Sequence, residues 1–324
     1  MSFRLLSASA LLASVVFSAS VHADTLVLYT SQPAQDAQMT VDAFEKANPG
    51  TKVDWVRDGT TKLMTRLRAE MAAGVVKPDV LLIADSVTME QLKQEGLLAA
   101  HKSAESGEYD PALYDKDGYY YSTKLITTGI AYNTGAKEKP VSWKDFLKPE
   151  YKNQVAMPSP LYSGAALIHL STLTTNPDFS WKFYEDMKAN GVTALTGNGS
   201  VLTAVASGTK PYGVLADYLA IREKAKGAPV EFVFPTEGVS LVTEPVAILK
   251  DSKQQELAQK FVDFVLSAEG QELVVQQGYL PARNGTKTPE GFPDRSAIKL
   301  LPFDAAKALE NAEKDKEDFS KLFN

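Results

Sequence analysis

The chain has 324 residues, 44% of them hydrophobic and 23% charged, with 34 Lys and Arg against 40 Asp and Glu for a formal net charge of −6. An acidic chain without a basic run is a poor partner for nucleic acid. The absence of Cys excludes a disulfide framework, a thiol nucleophile and a lipid-bearing cysteine.

At the amino end, Arg4 precedes an apolar run over residues 5–17, and Val21-His22-Ala23 forms a small-residue cleavage site. That is the layout of a secretory signal peptide. A membrane anchor needs about 20 apolar residues, more than this run supplies. The folded protein is therefore expected to start at Asp24 and to work in the periplasm. The remaining length is too great for one core and suits two lobes.

Residues 25–29 read as a buried strand, and a helix follows to Ala47, stopped by Asn48-Pro49-Gly50. A strand over 52–56, a helix over 62–73 with Leu63, Leu67 and Met71 on one stripe, and a strand over 79–83 come next. Strand–helix alternation at this spacing predicts parallel strands with helices on both faces. In such sheets ligands bind beyond the carboxyl ends of the strands, where helix N-termini point. Three of these turns are rich in polar side chains: Thr30-Ser31, Thr60-Thr61 and Asp85-Ser86. Each also suits plain helix capping.

A long strand over 125–133 contains Gly129. Beyond it a second lobe is expected, with a strand over 155–158, a turn carrying Ser163-Gly164-Ala165, and an apolar helix over 167–173. Backbone N–H groups at that helix start favour an anion. Thr196-Gly197-Asn198-Gly199-Ser200 opens another helix, and a strand over 212–215 ends at Ala216-Asp217-Tyr218. A return strand over 240–249 leads to helices over 254–266 and 268–277 and to a charged amphipathic tail helix over 304–323. These elements predict a signal peptide over 1–23, a first lobe over 24–126, a second over 127–238, and a return to the first lobe over 239–324. The linking strands are expected near Gly129 and Thr243.

His101 and His169 are the only histidines beyond the signal segment, and His169 lies on an apolar helix face, which suits a buried, hydrogen-bonded side chain. The chain lacks the usual zinc sets, a calcium loop, a G-x-S-x-G elbow, a P-loop and a dinucleotide fingerprint. Scattered carboxylate pairs leave a hydrolase acting on phosphorylated solutes as an alternative. The main expectation from these absences is a chain that is not an enzyme and needs no cofactor.

The segments 25–47, 59–85, 158–166 and 243–283 resemble solute-binding proteins of ABC importers, in the branch with the periplasmic ferric-binding proteins and their relatives for phosphorylated sugars and aminoalkylphosphonates. The most specific strings are Thr243-Glu244-Pro245-Val246-Ala247-Ile248-Leu249, Phe261-Val262-Asp263-Phe264-Val265, Glu269-Gly270-Gln271 and Gly278-Tyr279-Leu280-Pro281. The resemblance implies an α/β fold of two lobes (a type II periplasmic binding protein), each a mainly parallel sheet flanked by helices, joined by crossing hinge strands. It also implies a monomer that closes on a solute and docks on an inner-membrane permease. Ferric-binding members use a His in the first turn, an acid in the third and two consecutive tyrosines. Here Gln32-Pro33 stands where the His falls, Asp85 stands for the acid, and the tyrosine pair reads Tyr218-Leu219. Fe(III) prefers several hard anionic oxygens, so Fe(III) with a synergistic anion is the lesser reading. The anion half matches better, at Ser163-Gly164-Ala165 and Asn198. The solute expected is a small organophosphorus anion, an aminoalkylphosphonate or a sugar phosphate. Ser31, Thr60 and Thr61 would close on it, while Asp85, Asp217 and Glu244 take its ammonium or hydroxyls beside Tyr218.

Overall fold

The computed structural model describes residues 24–323, so the signal segment expected over 1–23 lies outside the described residues. The chain opens with β1 (Asp24–Thr30), α1 (Ala34–Ala47), β2 (Thr51–Arg57), α2 (Thr60–Ala72), β3 (Val80–Leu82) and α3 (Ser86–Gln94). The helices form because one stripe of each is apolar: Ala37, Val41 and Phe44 on α1, and Leu63 and Leu67 on α2, are buried against the sheet. Each helix carries the chain back so that β1 pairs in parallel with both β2 and β3.

A short β4 (Leu98–Ala99) and β5 (Tyr120–Ser122) then lead into β6 (Lys124–Asn133). Next come β7 (Val155–Pro158), α4 (Gly164–Thr174), α5 (Ser180–Ala189), β8 (Thr193–Leu195), α6 (Asn198–Ala206), β9 (Tyr212–Ala216), α7 (Asp217–Ala225) and β10 (Val230–Val233). After β11 (Ser240–Val242) and β12 (Pro245–Leu249) the chain adds α8 (Gln255–Leu266), α9 (Ala268–Gln276), β13 (Leu280–Pro281) and α10 (Ala305–Phe323).

Two sheets result. The first runs β2-β1-β3-β12-β4 with β5 also on β12, and the second runs β10-β6-β9-β7-β8 with β11 and β13 also on β6. Both are mixed rather than mainly parallel. β12 is antiparallel to β3, β4 and β5, and β6 is antiparallel to β9, β10 and β11. The antiparallel pairs arise where the chain crosses between the units and enters a sheet from the opposite side.

The crossings differ from the sequence expectation in a way that matters for the site. The expected strand over 240–249 is broken: β11 belongs to the second sheet and β12 to the first. The chain changes sheets at Thr243-Glu244, where Glu244 adopts φ +38°, a left-handed conformation costly for a residue with a side chain. The other crossing falls at Thr123, between β5 and β6, and not at Gly129. Gly129 lies within β6, where a Cβ would fall 2.5 Å from the Phe232 ring, so it is there to admit a neighbouring side chain.

Apolar layers cover both faces of each sheet. Phe44 of α1 meets Phe261 and Phe264 of α8 edge-on at 5.0 and 5.6 Å beside the first sheet. Trp143, Phe146, Tyr151 and Phe183 pack beside the second. Segment 239–323 serves both units: α8 joins the core of the first, whereas Phe319 of α10 packs with Tyr184 in that of the second. A further buried cluster, including Val87, Ile126, Ile168, Val242 and Val274, seals the units together behind the cleft.

Candidate functional site

Strand ends and helix starts from both units meet at a cleft of about 460 Å³. From the first unit Ser31, Arg57, Gly59, Thr60 and Lys62 reach it, from the second Ser163, Gly164, Ala165, Asn198 and Tyr218, and from the crossing Glu244. Three helices begin at its wall: α2 at Thr60, α4 at Gly164 and α6 at Asn198. Their first turns contain no acidic residue. Gly59 and Gly197, which precede α2 and α6, supply no capping side chain. The N–H groups that lack an intrahelical acceptor, and the positive ends of three helix dipoles, therefore face the cleft.

Side chains tie these turns together. Ser163 caps α4, its Oγ accepting from Ala166 N at 3.3 Å. Asn198 Nδ2 donates to the same oxygen at 3.4 Å, while its Oδ1 accepts from Ala216 N at 3.0 Å, linking the starts of α4 and α6 to the end of β9. Across the cleft, Ser31 Oγ accepts from Ala84 N at 2.8 Å. Arg57 donates from Nε to the Gln32 carbonyl at 2.9 Å, and Lys62 lies 3.6 Å from Asp58.

The units touch at glycines. A Cβ on Gly59 would lie 2.5 Å from the Tyr162 carbonyl oxygen, and one on Gly164 would lie 2.8 Å from both the Ala84 carbonyl oxygen and Asp85 Cβ. Backbone from one unit thus rests on backbone from the other, an approach only glycine permits.

Of the residues singled out in the sequence, Ser31, Thr60, Ser163, Gly164, Ala165, Asn198, Tyr218 and Glu244 come together here. Thr61, Asp85 and Asp217 are not among the lining residues. Asp85 caps α3, accepting from Val87 N at 3.0 Å, Thr88 N at 3.1 Å and the Thr88 hydroxyl. Asp217 accepts from Thr127 N at 2.9 Å, Thr127 Oγ1 at 2.7 Å and Tyr218 N at 2.6 Å. Burial still pushes the Asp217 carboxyl up to about 7 against those donors, and burial likewise raises Asp85. Asp85 is engaged by capping α3, and Asp217 by holding Thr127 of β6 to the start of α7. Glu244 is buried and reaches Lys124, its Oε2 2.7 Å from Nζ in an ionic contact rather than an aligned hydrogen bond. Burial raises its carboxyl, with the Lys124 ammonium opposing.

Arg57, Lys62 and Tyr162 line the cleft although the sequence reading passed over them. The two basic residues flank the Gly59-Thr60 helix start, and that adjacency of positive charge to a helix N-terminus was the signal available.

The chain matches the model of the bacterial extracellular solute-binding proteins over residues 76–309. It is 27% identical to the Fe(3+)-binding periplasmic protein of Serratia marcescens, over 86% of this chain and 82% of that one. Among solved structures it superposes on the periplasmic binding protein AfuA from Actinobacillus pleuropneumoniae, determined with fructose-6-phosphate bound, with a TM-score of 0.85 at 22% identity, covering 93% of this chain and 98% of that one. It also superposes on iron-bound HitA from Pseudomonas aeruginosa with a TM-score of 0.79 at 24% identity, covering 91% and 99%. The fold is that of the two-lobed periplasmic binding proteins, and the chain belongs to the bacterial extracellular solute-binding protein family, a ferric-binding-protein-like branch of the ABC-importer receptors.

Proposed function

We propose that the protein captures a small organophosphorus anion, an aminoalkylphosphonate or a sugar phosphate, in this cleft and delivers it to an inner-membrane permease. The observation that carries the reading is the convergence of three acid-free helix starts on one cleft, flanked by Arg57 and by the Asp58–Lys62 ion pair. N–H groups and hydroxyls from Thr60, Ser163 and Asn198 hold the phosphoryl oxygens without a metal. Glu244 accepts from hydroxyl or ammonium donors at the solute's other end, beside Tyr218. Because both lobes contribute donors, the closed form binds more tightly and the solute shifts the population toward it. We take 24–126 with most of 239–324 as one lobe and 127–238 as the other, with residues 1–23 directing export and then removed.

Fe(III) would draw on Asp85 and Tyr218. The Asp85 oxygens already accept from α3, and Tyr218 packs between the Tyr279 ring and the Arg222 guanidinium, a positive charge beside the place a ferric ion would take. The donor set therefore favours the oxyanion.

Native mass spectrometry of protein released from the periplasm, followed by calorimetry with fructose 6-phosphate and 2-aminoethylphosphonate, tests the reading. A chain starting at Asp24 and saturable binding without turnover are expected. Hydrolysis of the ester, or a visible phenolate-to-iron band with no affinity for either anion, overturns it.

A further inference from the structure

Beside the cleft lies a largely buried arrangement of four charges and two tyrosines that joins the units. Asp36, at the start of α1 beside the first sheet, is 1% exposed and accepts both terminal nitrogens of Arg222, at 2.8 and 3.0 Å. Arg222 belongs to α7, which follows β9 of the second sheet. The pair therefore spans the two units in a bidentate geometry that a lysine cannot reproduce. The Arg222 guanidinium carbon also sits 4.5 Å from the centroid of the Tyr218 ring, and Tyr218 lines the cleft.

The opposite flank is held in the same way. The Tyr218 and Tyr279 rings lie 4.2 Å apart between centroids, Tyr279 donates its hydroxyl to Asp36, and Lys124 Nζ stands 4.2 Å from the Tyr279 centroid while paired with Glu244. Two cations thus bracket two aromatic rings, each cation balanced by a buried carboxylate.

We propose that Asp36 and Arg222 form an interlobe clasp that positions Tyr218 as a wall of the binding cleft and links the affinity of that cleft to lobe closure. Both act as positioning residues, because neither lines the cleft. Without the clasp, Tyr218 loses the cation that fixes its ring, and the second lobe loses a charged contact with α1. The proposal rests on the cleft being the solute site, but its structural half stands apart from the solute's identity.

The test uses the full mature chain with Arg222→Met, Arg222→Lys, Asp36→Asn and the double variant Asp36→Asn/Arg222→Met. Small-angle scattering reads closure and calorimetry reads affinity for 2-aminoethylphosphonate and fructose 6-phosphate. The expected result is a larger radius of gyration for ligand-free Arg222→Met, about a tenfold loss of affinity for the anion that binds wild type, and a closed radius regained at saturation. Arg222→Lys is expected to recover only part of the loss, and the double variant to match the worse single variant. Arg222 is partly exposed, so its variants carry the test should Asp36→Asn unfold. If wild type binds neither anion, the solute reading fails while the scattering comparison still judges the clasp. Unchanged radius and affinity in Arg222→Met, or full recovery in Arg222→Lys, overturns the proposal.

Discussion

Ser163 shows how one residue serves both fold and site. Its oxygen caps α4 and its position is on the cleft wall. Aspartate caps a helix as well as serine does, so Ser163→Asp is expected to keep its thermal midpoint. Its carboxylate would oppose an anionic solute, and binding is expected to fall at least a hundredfold by calorimetry. His169 carries a different kind of cost. It is buried on α4, its Nδ1 2.9 Å from Ser240 Oγ and its ring 4.9 Å from the Trp143 ring, and burial lowers its pKa to about 3. Between that value and about 6.5 the unfolded chain takes a proton that the folded chain refuses, so stability falls as the pH drops through this window. Urea unfolding of His169→Gln should show a shallower loss between pH 6.5 and 4 than the wild type.

At the scale of elements, the decisive feature is the broken crossing between β11 and β12. Glu244 occupies it with a left-handed backbone, and its side chain meets Lys124, which is 1% exposed. A charge left alone at that depth is expensive, and breaking a buried pair costs roughly 3–5 kcal/mol. Glu244→Gln is therefore expected to lower the unfolding free energy by about 3 kcal/mol in urea titrations. Adding Lys124→Met should restore most of it. The helix starts belong to the same scale: glycines precede α2 and α6 and offer no capping side chain, which leaves their N–H groups to the cleft. The sequence marked these turns well because Ser, Thr, Asn and Gly are the residues that begin helices. It could not separate the carboxylates held by the chain's own donors, Asp85 and Asp217, from the one that faces the cleft, Glu244, since all three follow strands and only side-chain direction distinguishes them.

For the whole molecule, closure depends on how near the units come. Gly164 has no Cβ to strike Ala84 and Asp85 at 2.8 Å. Gly164→Ala leaves α4 intact, because alanine favours helix more than glycine does, yet the added methyl holds the units apart. The expected outcome is a larger radius of gyration without solute and about a tenfold weaker affinity, with an unchanged or higher thermal midpoint. The strands and helices around Phe44, Leu63 and Phe261 were legible because each apolar stripe faces one sheet and reports burial directly, whereas α5, α7, β8 and β10 went unread. The two-unit division and the polar strand ends followed from the same periodicity and from length. Which acids the backbone consumes, where the return strand breaks, and that Asp36 finds Arg222 were decided only by the tertiary structure. Each of these joins residues far apart in the chain, and a local pattern of hydrophobicity carries no information about such meetings.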